Sequence, residues 1–209
     1  FGDDRIYGGR SDNDRADGAD TIYGDVGNDD VWAGGGNDIV DGGTGNDNLY
    51  GQSGNDTMRG GDGGERVYGG TGDTLYGDAG ADTVRGGDGL DRLTGGVGND
   101  IFDYDAGGDS KPGTATRDLI FDFGGIGGAP GDRVDLSTID ANSGRAGNQA
   151  FTFMGTGGFT GAGQVRLTGS GADTLIQANT GGSLSPELEV AAQDAGVQPN
   201  QWAASDFIL

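Results

Sequence analysis

Between residues 18 and 103 a single apolar residue returns at nine-residue intervals: Ile22, Val31, Val40, Leu49, Met58 and Val67, then Leu75, Val84, Leu93 and Phe102. Every step is nine residues except Val67 to Leu75, where one residue is missing. An acidic residue keeps the same frame two positions earlier, at Asp20, Asp29, Asp38, Asp47, Asp56, Glu65, Asp73, Asp82, Asp91 and Asp100. Two residue types that slide together through one deletion mark a repeat. The unit reads Gly-Gly-x-Gly-x-Asp-x-apolar-x, most plainly in Gly42-Gly43-Thr44-Gly45-Asn46-Asp47-Asn48-Leu49-Tyr50. One apolar side chain flanked by polar ones predicts a three-residue strand with one residue facing inward. The six preceding residues then form a turn, where glycines supply positive φ angles and close backbone approach. Strands this short are buried only by stacking on their neighbours. The pattern predicts an all-β chain: a parallel β-roll (a right-handed β-solenoid) over residues 1–103, then a small antiparallel β cap over 104–209.

Strand-turn-strand-turn makes a coil of eighteen residues, so repeats two apart share a side. Asp20, Asp38, Asp56, Asp73 and Asp91 fall in one column, and Asp29, Asp47, Glu65, Asp82 and Asp100 in the other. Stacked coils lie about 4.8 Å apart, and bare carboxylates at that spacing repel. A hard cation between coils resolves the repulsion, because calcium takes six to eight oxygen ligands in irregular geometry. The ten acidic residues are the candidate carboxylate ligands. Carbonyls of the glycine turns supply the remaining oxygens, around Gly34, Gly36, Gly43, Gly45, Gly54, Gly61, Gly63, Gly87, Gly89, Gly96 and Gly98.

Several turns depart from the pattern. Ala33 replaces a first glycine, and Asp25 and Gln52 replace second glycines. Gly64-Glu65 stands where Asn-Asp is usual, and the missing residue before Asp73 predicts distorted sites there. Near the start, Gly2 to Gly9 fits one repeat, whereas Ser11 to Asp17 reads as an irregular acidic loop.

The nonapeptide resembles the calcium-binding repeat of RTX proteins. In the second half, Gly131-Asp132-Arg133-Val134-Asp135-Leu136-Ser137, followed by Asn148-Gln149-Ala150-Phe151-Thr152-Phe153, resembles the carboxy-terminal domain of serralysin-type secreted metalloproteases. The last four residues, Asp206-Phe207-Ile208-Leu209, resemble that family's terminal export motif, an acidic residue followed by apolar ones. The resemblance implies a secreted, extracellular protein, a type I secretion apparatus as partner, and folding on extracellular calcium. The segment Asn179-Thr180-Gly181-Gly182-Ser183 carries fewer acidic residues than relatives have, which argues against a calcium site there. The family's zinc site requires histidines, and this sequence has none.

Composition narrows the alternatives. Thirty-four acidic residues against twelve basic ones give a net charge of −22, which disfavours nucleic acid and anionic membrane surfaces as partners. Cysteine is absent, so disulfides and thiolate metal sites are excluded. No apolar run is long enough to span a membrane, and no amino-terminal signal peptide is legible. A chain that begins at Phe1 inside a repeat is expected to be a carboxy-terminal fragment, monomeric, with any catalytic domain lying upstream. Beyond residue 103 the composition shifts: all four prolines and most phenylalanines lie there. Strands are expected at 118–123, 133–136, 150–154, 164–167, 174–177 and 187–190.

Without histidine or cysteine the familiar nucleophile–base pairs are missing, and no catalytic residue is assigned. The acidic pair Asp103 and Asp105 is one of many in the chain. Position nine of the repeat faces outward and carries Tyr7, Tyr23, Tyr50, Tyr68 and Tyr76. Trp32, Tyr50 and Tyr68, eighteen apart, predict an aromatic ladder on one sheet. Two readings stay open for it: stacking between coils, or a platform for extracellular polysaccharide. On the opposite sheet Asp41 should lie beside Arg59 of the next coil, as a surface ion pair.

Overall fold

A computed structural model describes residues 2–9, 18–127, 131–181, 184–193 and 197–209 of the 209-residue chain. The acidic loop expected at residues 11–17 and the Gly182-Ser183 pair lie outside the described residues. The strands are β1 Arg5–Tyr7, β2 Thr21–Tyr23, β3 Asp30–Gly35, β4 Ile39–Thr44, β5 Asn48–Ser53, β6 Thr57–Gly63, β7 Arg66–Thr71, β8 Thr74–Gly80, β9 Thr83–Asp88, β10 Arg92–Val97 and β11 Ile101–Asp103. They are followed by β12 Leu119–Ile120, β13 Arg133–Asp135, β14 Thr152–Phe153, β15 Gln164–Ser170, β16 Asp173–Asn179, β17 Leu188–Ala192 and β18 Phe207–Ile208.

From β1 to β14 successive strands alternate between two sheets, and β14 to β17 then stay in one. One runs β1-β3-β5-β7-β9-β11-β13-β18, the other β14-β15-β16-β17-β12-β10-β8-β6-β4-β2. The architecture is an all-β parallel solenoid of about five turns with a small antiparallel section near the carboxy terminus. Every repeat strand pairs in register with the strand one coil away, as in Val31↔Leu49, Leu49↔Val67 and Val40↔Met58. The nine-residue frame therefore becomes a column in space. Ile22, Val40, Met58, Leu75 and Leu93 line one wall of the core, and Val31, Leu49, Val67, Val84 and Phe102 line the other; Ile22 is the least covered, at 7% exposure. The core is one side chain thick per sheet, so each residue depends on the coils above and below it.

Most repeat strands are longer than the three residues expected. In β3 to β10 the extended backbone runs on through the glycine pair for six or seven residues. Glycines can do this because the coil-to-coil amide ladder, rather than side-chain packing, holds that stretch; Gly34↔Gln52 and Gly61↔Asp78 pair directly. The one-residue deletion is absorbed in a turn, and Met58↔Leu75 and Leu75↔Leu93 remain aligned.

The second half extends the roll before it departs from it. All six expected strand regions contain strands, yet β12 and β13 pair in parallel with β10 and β11. Ile120 then stacks on Leu93, and Val134 on Phe102. Among the described residues only β15, β16 and β17 are joined antiparallel. The last strand, β18, adds in parallel to β13 through Val134↔Phe207. Phe207 packs beside Trp202 and Phe153, and Trp202 stacks on Phe123 at 4.6 Å, closing the end of the core with rings. No helix among the described residues is long and apolar enough to cross a membrane.

Candidate metal centre

The predicted acidic residues sit at the two edges of the roll, where each turn enters its strand. Asp29, Asp38, Asp47, Asp56, Glu65, Asp73, Asp82, Asp91 and Asp100 are buried, with at most 2% exposure, and Asp20 is half-buried. The columns expected from the eighteen-residue coil are present. In the first, the amides of Asp20, Asp38, Asp56 and Asp73 donate to Oδ1 of Asp38, Asp56, Asp73 and Asp91 in turn, at 2.6–2.9 Å. In the second, Asp29 donates to Asp47 at 2.8 Å, Glu65 to Asp82 at 2.9 Å and Asp82 to Asp100 at 3.0 Å. The ladder passes through Asp73 despite the deletion, with good distances on both sides.

One oxygen of each aspartate that accepts an amide is thus bound to the neighbouring coil. Oδ2 of Asp29, Asp47, Asp56, Asp73, Asp82, Asp91 and Asp100 is buried without a hydrogen-bond partner. At Glu65 neither oxygen accepts an amide, and the longer side chain brings the carboxyl against that of Asp82. Leaving such oxygens unsatisfied costs about 1–3 kcal/mol each, more when charged. Burial accordingly pushes Asp56, Asp91 and Asp100 up to about 6, and Asp73 up to about 8. Glu65 rises to about 8 through burial and the adjacent Asp82.

The glycines fit this arrangement in two ways. The first glycine of each pair lies beneath its turn's own carboxylate. A Cβ on Gly42 would come within 2.6 Å of Asp47 Oδ2 and 2.5 Å of the Gly60 carbonyl oxygen of the next coil. Carboxylate and carbonyl oxygens therefore converge where the side chain is missing. The second and third glycines curve the turn: Gly34, Gly36, Gly43, Gly45, Gly54, Gly61, Gly87, Gly89 and Gly96 have positive φ. Gly63 and Gly98 do not appear in that region; they instead press against the carbonyls of Gly45 and Gly80 on the preceding coil. Asp25, Gln52 and Asp78 adopt φ of 73–75° where a second glycine is usual.

All donors here are oxygens, the set that calcium prefers at 2.3–2.6 Å. Among the described residues no three acidic side chains converge on one point, so any cation here would draw on carbonyl oxygens as well as carboxylates. The residues present fit calcium on that basis.

Some participants were not picked out from the sequence. Asp118 and Asp132 extend the ladders: Asp91 N–H donates to Asp118 Oδ1 and Asp100 N–H to Asp132 Oδ1, both at 3.0 Å. The signal was present, since each lies two residues before a core residue (Ile120, Val134), as in the repeats. Outer ladders accompany both columns: Asn46 N–H donates to Asn28 Oδ1 and Gly64 N–H to Asn46 Oδ1 on one edge, and Asn55 N–H donates to Asn37 Oδ1 on the other. The nine-residue recurrence of asparagine was its trace.

Outside the turns, Tyr7, Trp32, Tyr50 and Tyr68 form a continuous stack with centroids 4.9–5.4 Å apart. Arg85 covers the free face of Tyr68 at 4.6 Å and also pairs with Asp103 and Asp105. The Asp103–Asp105 pair is thereby tied to a cation. On the other sheet Asp41 does neighbour Arg59. The guanidinium, however, turns to the Tyr76 ring at 4.4 Å and to Asp78 at 3.4 Å, so the expected Asp41 ion pair gives way to a cation–π contact plus a different carboxylate. At the terminus, Asp206 is buried, accepting the amides of Gly127 and Ala203, Phe207 is buried, and Ile208 and Leu209 are half-buried.

Comparisons with known proteins agree with this geometry. The family model described as the RTX calcium-binding nonapeptide repeat (4 copies) matches residues 16–49, 41–75 and 76–110. Among solved structures, the AlgE6R3 subunit of the Azotobacter vinelandii mannuronan C5-epimerase aligns at 26% identity and a TM-score of 0.50, over 74% of this chain and 77% of that one. The AlgE6R2 subunit of the same enzyme aligns at 26% identity and a TM-score of 0.48, over 79% and 90%. The extracellular lipase LipA of Serratia marcescens aligns at 17% identity and a TM-score of 0.36, over 100% of this chain and 38% of that one. A search of curated proteins gave no match. The matched stretch takes in the strands β2 to β11 of the parallel roll, and it is similar to the RTX calcium-binding nonapeptide repeat.

Proposed function

We propose that this chain is a calcium-triggered folding module of a secreted protein, exported unfolded by a type I apparatus and folded outside the cell. The buried ladders carry the reading, because their unpaired oxygens make the metal-free fold costly and the cation-loaded fold favourable. Asp20 to Asp91 and Asp29 to Asp100 supply the carboxylates, and the glycine turns supply carbonyls. A site filled at ten times its dissociation constant adds about 1.4 kcal/mol. Several such sites match the stability of a whole domain, about 5–15 kcal/mol. Residues 104–209 act as the cap, with Asp206-Phe207-Ile208-Leu209 serving as an export signal until folding buries it. The −22 charge keeps the metal-free chain expanded. The resemblance to serralysin-type proteases supports a parent enzyme whose catalytic part lies elsewhere.

The test is a calcium titration of the chelator-treated chain followed by circular dichroism. A cooperative gain of β signal near millimolar calcium, not reproduced by magnesium, is expected. A chain already folded in chelator would overturn the proposal.

A polysaccharide-binding role is the second reading, favoured by the likeness to a subunit of an enzyme named for mannuronan. The aromatic ladder is its candidate surface, but Trp32 and Tyr50 have both ring faces covered by neighbouring rings, leaving edges for a sugar. Under this reading Trp32→Ala and Tyr50→Ala abolish glycan retention while calcium-dependent folding persists.

A further inference from the structure

Tyr7, Trp32, Tyr50 and Tyr68 share one register column, with Tyr7↔Trp32, Trp32↔Tyr50 and Tyr50↔Tyr68 directly paired. Their ring planes meet at 10°, 8° and 23°, with centroids 4.9, 5.4 and 5.1 Å apart. The backbone ladder between coils fixes these separations. Rings this close exchange electrons readily, because the overlap of their π orbitals falls off steeply with distance. The ring faces that a sugar would need are the ones such exchange uses. The two ends of the column differ. Arg85 follows Tyr68 and covers its face at 4.6 Å. A guanidinium does not pass on an oxidising equivalent, so the column stops there. Burial also pushes the Tyr68 phenol above its ordinary value of 10.0, so its proton leaves less readily than one facing open water. At the other end Tyr7 is 56% exposed, whereas Trp32, Tyr50 and Tyr68 are half-buried. Arg5, 5.9 Å from the Trp32 ring, is paired with Asp30 at 3.2 Å, which offsets its charge.

We propose that this column is a one-electron relay that carries oxidising equivalents along the sheet to Tyr7, a site of oxidative modification at the surface. The substrate class is a one-electron oxidant, either an oxidised metal complex or a radical, which is itself reduced. In a chain without cysteine, phenol and indole rings are the side chains that most readily lose a single electron. Oxidised Tyr68 takes an electron from Tyr50, Tyr50 from Trp32, and Trp32 from Tyr7. Each phenol regains a proton from water as it is reduced, and Tyr7 releases one to water as it is oxidised. The sum leaves Tyr68, Tyr50 and Trp32 unchanged and Tyr7 as a phenoxyl radical. Two such radicals on separate chains join ring carbon to ring carbon, and each displaced ring hydrogen moves to its own oxygen. Tyr23 is as exposed, at 62%, but its partner one coil on is Asp41, so no ring feeds it. Such a relay needs the stacked fold and neither a glycan nor an export role.

Because the chain has no cysteine, Thr83→Cys, on the same outer face of β9 as Arg85, holds a single ruthenium photo-oxidant at the Tyr68 end. The folded full chain is flashed in the presence of a nitroso radical trap, and the trapped tyrosines are located by peptide mapping. An adduct on Tyr7 well above that on Tyr23 is expected. Adding Trp32→Phe, which keeps a ring but not a readily oxidised one, should abolish the Tyr7 adduct and leave adducts on Tyr50 and Tyr68. Equal adducts on Tyr7 and Tyr23 would mean oxidation through solution and would overturn the relay. So would a Tyr7 adduct undiminished by Trp32→Phe, or none on Tyr7 with Trp32 in place. Should circular dichroism show that Trp32→Phe does not fold, Tyr50→Phe interrupts the same column and is read in the same way.

Discussion

At Asp47 one carboxylate oxygen accepts the Asp29 amide at 2.8 Å, and the other is buried with no protein partner. That division explains why neither a hydrophobic residue nor an uncharged amide can stand in for it. Asp47→Ala removes both the amide acceptor and a ligand oxygen bordering two intercoil spaces. The calcium midpoint for folding should rise several-fold, while Asp47→Asn, which keeps an acceptor, should shift it less. An unchanged midpoint for Asp47→Ala, read by circular dichroism, would count against the column geometry. Backbone conformation offers a second residue-scale check. Gln52 holds φ at 73°, which costs a non-glycine residue roughly 1–2 kcal/mol. Gln52→Gly should therefore raise the melting temperature of the calcium-loaded chain, by up to ~1 kcal/mol of stability after the added freedom of the unfolded glycine is subtracted. A lowered melting temperature would show that the side chain matters more than the strain.

Elements in this chain are stable only as stacked layers. Each repeat strand has one fully inward apolar residue, so a strand cannot hold its place without the coils on either side. The two ends are therefore the weak points, and the carboxy-terminal end is covered by β18. Phe207 lies against Trp202 and Phe153 with 6% exposure. Phe207→Ala should cost about 3–5 kcal/mol and red-shift the fluorescence of Trp202. The repeat coils far from it should keep their calcium-dependent β signal. Loss of both signals together would mean that the cap and the roll fold as one unit.

For the whole molecule, charge decides what packing alone leaves open. The ordinary aspartate value is 3.8, yet in the metal-free fold burial pushes Asp56, Asp91 and Asp100 to about 6, Asp73 to about 8 and Asp118 to about 9. Between pH ~4 and ~9 the folded chain thus binds more protons than the unfolded one. Its calcium-free stability is greatest below that window and falls as pH rises through it. Protonation also lowers the −22 charge, acting in the same direction. In chelator, the β signal should be stronger at pH 5 than at pH 8, and the calcium dependence steeper at pH 8, where ionised carboxylates need the ion. A chelated chain less ordered at pH 5 than at pH 8 would contradict this account.

The repeat frame was legible from the chain because period and burial coincide: an inward residue every nine positions and a carboxylate two residues before it. That was enough to give the solenoid, its two columns, the aromatic stack and the candidate calcium ligands. The frame also reached past the repeats, to Asp118 before Ile120 and Asp132 before Val134, but intervals of 27 and 32 residues hid it. Loops of arbitrary length leave no period, so only the fold brings those residues onto the ladders. Tertiary structure alone also decided that the terminal strand joins the roll in parallel and that Arg59 chooses Tyr76 over Asp41. These outcomes depend on which of several nearby partners a group meets in space, and local residue order carries no record of that choice.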